Sequence, residues 1–112
     1  MYNTATKLAE GNGWFFAQQF ENAANADIHE STTAQEILSD FQDAALDYWF
    51  TGYGTGGTVT GVARALKRAR PHCKIILSEP HNAMLLGSGI PQERNEDDSP
   101  RGSHPAWEPH VI

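Results

Sequence analysis

Between Leu46 and Leu66 an apolar run, Tyr48-Trp49-Phe50, stops at a glycine-dense loop and gives way to a helical pattern. A joint of this kind admits few folds. Three consecutive aromatic residues suit a short buried strand, and Gly52, Gly54, Gly56 and Gly57 allow backbone angles that a Cβ resists. Val59, Val62, Ala63 and Leu66 then recur at helical spacing, so the loop feeds a helix N-terminus. Bare N–H groups at such a start, with the positive end of the helix dipole behind them, suit an anion such as phosphate.

The rest of the chain is arranged around that joint. Thr4 to Glu10 reads as a short helix broken by Gly11-Asn12-Gly13, and Trp14 to Ala17 as a first strand. Glu21 to Glu30 is polar and reads as a connection. The next helix begins on a capping box, with Thr33 accepting from the Glu36 N–H, and Ala34, Ile37, Leu38 and Phe41 mark its buried face. After the loop, the spacing predicts a helix from Thr58 to Arg70, closed by Pro71. Its basic residues Arg64, Lys67, Arg68 and Arg70 read as a solvated face matched to the dipole. Cys73 to Leu77 is a third strand, apolar on both faces, with Cys73 a packing residue. Strand, helix, strand, helix, strand implies an open, mostly parallel α/β sheet. From Gly87 onward, prolines, glycines and the acids Glu93, Glu96, Asp97 and Asp98 predict a long surface loop in which Trp107 docks.

A formal net charge of -6 opposes binding to nucleic acid or an anionic membrane. One cysteine excludes an internal disulfide, and no stretch reaches membrane-spanning length, so a soluble cytoplasmic protein is expected. The five histidines lack metal-ligand spacing. Three strands with open edges are a poor domain alone, which makes the chain look like part of something larger.

Two templates fit the loop. Gly52-x-Gly54-x-x-Gly57, with Glu79 after the next strand, matches a dinucleotide fingerprint, although the acid stands farther on than usual and another strand precedes the loop. Taken as Gly54-Thr55-Gly56-Gly57-Thr58, the loop resembles the phosphate cup of the cysteine synthase (O-acetylserine sulfhydrylase) family, pyridoxal-phosphate enzymes of β-replacement. Gln18-Gln19-Phe20-Glu21-Asn22-Ala23-Ala24-Asn25, His29, Thr32-Thr33 and the stretch from Lys74 to Pro80 resemble the same family in register. Departures are Ala23 for a usual proline, Tyr53 for a smaller aliphatic, and a longer loop from Gly87 to Trp107.

The resemblance implies a partial sheet from a tryptophan synthase β-like pyridoxal-phosphate fold. Residues 1–20 would close the smaller domain, 21–86 would form part of the larger one, and 87–112 would lead to a further C-terminal part. Gly54, Thr55, Gly56, Gly57 and Thr58 would hold the phosphate of pyridoxal 5'-phosphate; Gln19 and Phe20 would bind the substrate carboxylate. His29 would be a structural hydrogen-bonding residue. The family enzyme makes L-cysteine from O-acetylserine and sulfide, typically as a homodimer. Lys7, Lys67 and Lys74 do not resemble the family's Schiff-base lysine motif, and no catalytic residue is assigned, so a fragment inactive alone is expected. Alternatives are a cystathionine β-synthase-like enzyme, a dinucleotide-binding module, or a non-catalytic interaction fragment.

Overall fold

The computed structural model describes residues 2–98 and 100–106; the predicted docking of Trp107 lies outside them. Helix α1 spans Tyr2–Asn12, α2 Ala24–Ser31 and α3 Thr33–Asp40. Strand β1 (Tyr48–Thr51), helix α4 (Gly57–Ala69) and strand β2 (Lys74–Leu77) complete the set, and no further helix or strand follows among the described residues.

The strand–loop–helix–strand unit forms as its sequence predicts. β1 and β2 pair in parallel with Tyr48 opposite Lys74 and Thr51 opposite Leu77. The ladder extends at both ends through Lys74 N–H to Asp47 O (2.7 Å) and Ser78 N–H to Thr51 O (2.9 Å). α4 crosses between the strands and buries Val62, Ala65 and Leu66 against Ala34, Leu46 and Cys73. Ile37, Leu38, Trp49 and Ile75 pack around that core. Cys73 is fully buried, in the packing role its sequence position suggests.

Trp14 to Ala17 is not a strand. α1 ends where Gly13, at φ +67°, turns the backbone and lets Trp14 N–H reach Ala9 O at 2.9 Å, a Schellman closure. The segment after it finds no strand to pair with, and Phe15 stays 87% exposed. Apolar side chains alone do not make a strand, because its backbone groups need a neighbouring ladder. The described sheet therefore has two strands, not three. Its outer faces are also more open than their composition suggests: Tyr48 and Phe50 are exposed.

The polar stretch expected to be a connection contains α2 instead. Asn22 Oδ1 accepts from Ala24 N–H (3.0 Å) and starts the turn that leads into it. No residue of α2 is fully buried; the helix is held by closeness to α4. A Cβ added at Gly61 would stand 2.1 Å from Ala26 O and 2.7 Å from Glu30 N, so only glycine lets the two backbones meet there. Smallness, rather than hydrophobicity, marks this contact, and a search for apolar periodicity passes over it.

The capping box does not form. Thr32, between the two helices, supplies its carbonyl to Gln35 and Glu36 N–H (2.8 and 3.0 Å). The Thr33 hydroxyl turns instead to His29 Nδ1 at 2.9 Å. With α2 running directly into α3, a backbone oxygen already fills the capping role. Phe41, expected on the buried face of α3, is 39% exposed beyond its end.

Candidate functional site

Residues 51–59 line a cavity of about 300 Å3 at the carboxyl end of β1 and the start of α4. Gly56 caps the helix at φ +84°, a left-handed conformation that a β-branched residue resists. Among the described residues, the N–H groups of Gly54, Gly56 and Thr58 have no hydrogen-bond partner. Open donors beside a positive dipole end form an anion cradle. The five predicted phosphate residues, Gly54 to Thr58, thus stand together on one cavity wall.

Gln19 and Phe20 come to the same place from the other side. With Asn22, Asn25 and Ala26 they line a hollow of about 170 Å3 that shares Thr55, Gly56 and Gly57 with the cradle. Phe20 is 69% exposed and presents its ring at the rim. The segment is held by Asn25, whose Nδ2 donates to Gln19 O (2.8 Å) and to Thr55 Oγ1 (2.7 Å). Gly57 provides the space for that side chain, since a Cβ there would be 2.1 Å from Asn25 Oδ1.

His29 reaches the cradle from α2, its Nε2 3.1 Å from Thr58 Oγ1 while Nδ1 faces Thr33. The tautomer with its proton on Nε2 leaves the Thr58 proton free for an anion. The histidine is a hydrogen-bonding link between α3 and the cradle, in keeping with the structural role expected of it. Asn25 was visible in the sequence only as one member of the Gln18 to Asn25 segment; its contact with Thr55 spans 30 positions and has no local signal.

Tyr53 and Glu79 close the other flank. The Tyr53 hydroxyl donates to Glu79 Oε1, and the carboxylate also accepts Leu86 N–H (2.8 Å) and Gly87 N–H (2.7 Å). Those bonds, the Leu86 amide foremost and then the Tyr53 hydroxyl, hold the Glu79 carboxyl below its ordinary range. Desolvation first, and then the hydrogen bond to Glu79, pushes the Tyr53 phenol up to about 12. The acid that a dinucleotide would need for its ribose is therefore committed to the chain's own donors.

The lysines stand apart from the cradle. Lys67 lies in the last turn of α4, about 15 Å along the helix, and donates to Cys73 O at 2.6 Å. Lys74 opens β2, its ammonium 5.4 Å from the Tyr48 ring centroid. Lys7 is on α1. Arg64, Lys67 and Arg68 of α4 are exposed, as a solvated face requires, and the two arginines are also paired. Arg64 pairs with Asp27 (3.3 Å) and Glu30 (3.6 Å), and Arg68 with Glu30. Among the described residues no cluster of acids, histidines and cysteine could hold a metal ion, and no helix is long and apolar enough to cross a membrane.

Comparison with known proteins bears on what this cradle holds. The chain is 51% identical over 108 residues to the O-ureido-L-serine synthase of Streptomyces lavendulae, covering 96% of this chain and 28% of that protein. It is 51% identical over 89 residues to a cysteine synthase of Flavobacterium sp., covering 78% of this chain and again 28% of the relative. The chain thus spans between a quarter and a third of the length of these relatives. Among solved structures, O-ureido-L-serine synthase superposes with a TM-score of 0.76 at 41% identity, over 99% of this chain and 34% of that one. A hydrogen sulfide-producing enzyme from Fusobacterium nucleatum does so with 0.74 at 25% identity, over 93% and 32%. The fold is that of the tryptophan synthase β-like pyridoxal-phosphate enzymes. The model of the pyridoxal-phosphate dependent enzyme family matches residues 1–108. With nearly its whole length matched, this chain belongs to the pyridoxal-phosphate dependent enzymes.

Proposed function

We propose that this chain is the cofactor-phosphate-binding part of an enzyme that makes L-cysteine from O-acetylserine and sulfide by β-replacement. Residues 1–20 close the smaller domain of that enzyme, 21–86 belong to the larger one, and 87–112 lead into its continuation. The observation that carries this reading is that two adjacent hollows, the one at Gly54 to Thr58 and the one at the Gln19-Phe20 turn, have Thr55, Gly56 and Gly57 as their common wall. A phosphate and an amino-acid carboxylate are the two anions that such an enzyme must hold side by side.

In this assignment the N–H groups of Gly54, Gly56 and Thr58 and the hydroxyls of Thr55 and Thr58 hold the cofactor phosphate. Gln19 donates to the substrate carboxylate, and Phe20 covers it from water. Bound there, the pyridoxal ring supplies the electron sink that lets a β-substituent leave an amino acid. No lysine of this chain stands at the cradle, so the 112 residues bind and orient without turning over by themselves. The intact enzyme is a homodimer acting on small amino acids in the cytoplasm.

A second reading, synthesis of O-ureido-L-serine, is favoured by one observation: the match to that synthase covers 96% of the chain, against 78% for the cysteine synthase. An enzyme in which residues 1–108 replace the matching span of the Flavobacterium protein separates the two. Cysteine formation from O-acetylserine and sulfide supports the first reading, and a folded, cofactor-loaded chimera that makes none sinks it. Tighter binding of O-ureido-L-serine than of L-cysteine favours the second.

A further inference from the structure

Asn25 stands between the two halves of the proposed site, and elementary valence dictates what it does there. Its Nδ2 is 2.8 Å from Gln19 O and 2.7 Å from Thr55 Oγ1. A carbonyl oxygen only accepts, so the nitrogen of the amide, not its oxygen, has to face Gln19. Both protons of that nitrogen are then used, one on each partner. Thr55 Oγ1 also accepts Gly57 N–H at 3.3 Å. A hydroxyl has two acceptor sites and one proton. With both acceptor sites filled, Thr55 has only its proton to offer, and among the described residues nothing receives it. That proton belongs to the wall of the cradle that residues 51–59 line.

We propose that Asn25 is a positioning residue that makes Thr55 an obligate donor to the cofactor phosphate and thereby couples phosphate binding to the Gln19 segment. The proposal rests on the phosphate and carboxylate roles assigned above. It adds a direction: a carbonyl in the carboxylate-binding turn sets the amide, the amide sets the hydroxyl, and the hydroxyl faces the anion. Filling the cradle strengthens the Asn25–Thr55 bond, because a hydroxyl that donates to an anion becomes a better acceptor. That change reaches Gln19 O through the same Asn25 nitrogen. Gly57 is part of the device, since any side chain there displaces the Asn25 amide.

The test uses the full 112-residue chain, labelled with nitrogen-15 and titrated with pyridoxine 5'-phosphate, which carries the phosphate but no aldehyde to react with lysines. Binding is expected to saturate, with amide shifts at Gly54 to Thr58 and also at Gln19 to Asn22. Asn25→Ala and Thr55→Val are each expected to weaken binding about 10-fold, in line with loss of one hydrogen bond to a charged group. Because both act through one hydroxyl, the double variant should match the weaker single variant to within about 2-fold. Asn25→Ala should also abolish the shifts at Gln19 to Asn22. Losses that multiply to about 100-fold, or shifts at Gln19 that persist in Asn25→Ala, overturn the proposal. Should that variant lose its dispersed spectrum, Thr55→Ser and Thr55→Val decide: the hydroxyl of serine is expected to restore affinity, and equal losses overturn the coupling. A folded wild-type chain that does not bind the probe shows that the phosphate assignment itself has failed, a result obtained before any variant is made.

Discussion

The two ends of α4 are built from the same helix and treated in opposite ways. At its C-terminus the helix is tied to the chain's own groups: Arg70 N–H returns to Leu66 O, Arg70 O accepts Cys73 N–H, Arg70 Nη2 donates to Phe41 O and Gln42 O, and Lys67 reaches Cys73 O. At its N-terminus glycines and threonines leave donors open into a cavity. Unsatisfied groups at a helix end normally find a partner. One end is tied to other parts of the chain and the other faces the cavity with open donors, which is the contrast that the proposed phosphate site rests on.

Gly61→Ala tests the frame on which that contrast depends and should have the largest effect. Its methyl group would meet backbone of α2 at 2.1 Å, so unfolding free energy should fall by about 3 kcal/mol, at the upper end of overpacking costs. Denaturant titration reads the change, and a loss under 1 kcal/mol would mean that α2 does not hold the open end in place. Gly56→Val acts on the open end itself. At φ +84° the substitution costs about 1–2 kcal/mol and should sharply reduce affinity for pyridoxine 5'-phosphate; unchanged affinity would remove the cradle from the ligand site. At the closed end, Arg70→Ala should cost about 1 kcal/mol and leave that affinity unaltered. If it weakened the ligand as much as Gly56→Val, the two ends would not be functionally distinct.

The smallest expected effect is electrostatic. Hydrogen bonding to Arg68, with the charges of Arg68 and Arg64, holds the Glu30 carboxyl below its ordinary range. A carboxyl that is more acidic in the folded state stabilises the fold above its unfolded pKa, and that contribution is lost as pH falls through the lower folded value. Melting temperature should therefore drop on acidification below about pH 4.3, and Glu30→Gln should flatten part of that slope. Because the pair is exposed, the change at pH 7 should be slight. A variant with the same acid slope as the wild type would show that this ion pair does not contribute.

What could be foreseen divides along the range of the interactions concerned. The strand–loop–helix–strand unit was legible because its signals are local: β-forming aromatics, consecutive glycines, a 3.6-residue apolar period and a terminating proline. That Gly54 to Thr58 would stand together at the start of α4 was legible for the same reason. Trp14 to Ala17 misled because strand formation depends on a partner edge as well as on composition. α2 was missed because Gly61 and Ala26 hold it by close approach, and small residues leave no apolar period. The Thr33 capping box had the right residues, but a preceding helix placed Thr32 O in the capping position first.

Taken alone, the sequence determined the chemistry available at the joint: a run of backbone N–H groups without side chains over them, at the positive end of a dipole. Tertiary structure decided which donors remain open and which are consumed. Asn25, His29 and Glu79 reach Thr55, Thr58 and Tyr53 across 30, 29 and 26 positions. Hydrogen-bond valence is set by whatever arrives from elsewhere in the chain, and no local pattern records it. The glycines made a cradle possible, and the packing of α2 against α4 brought to it the side chains that aim its hydroxyls.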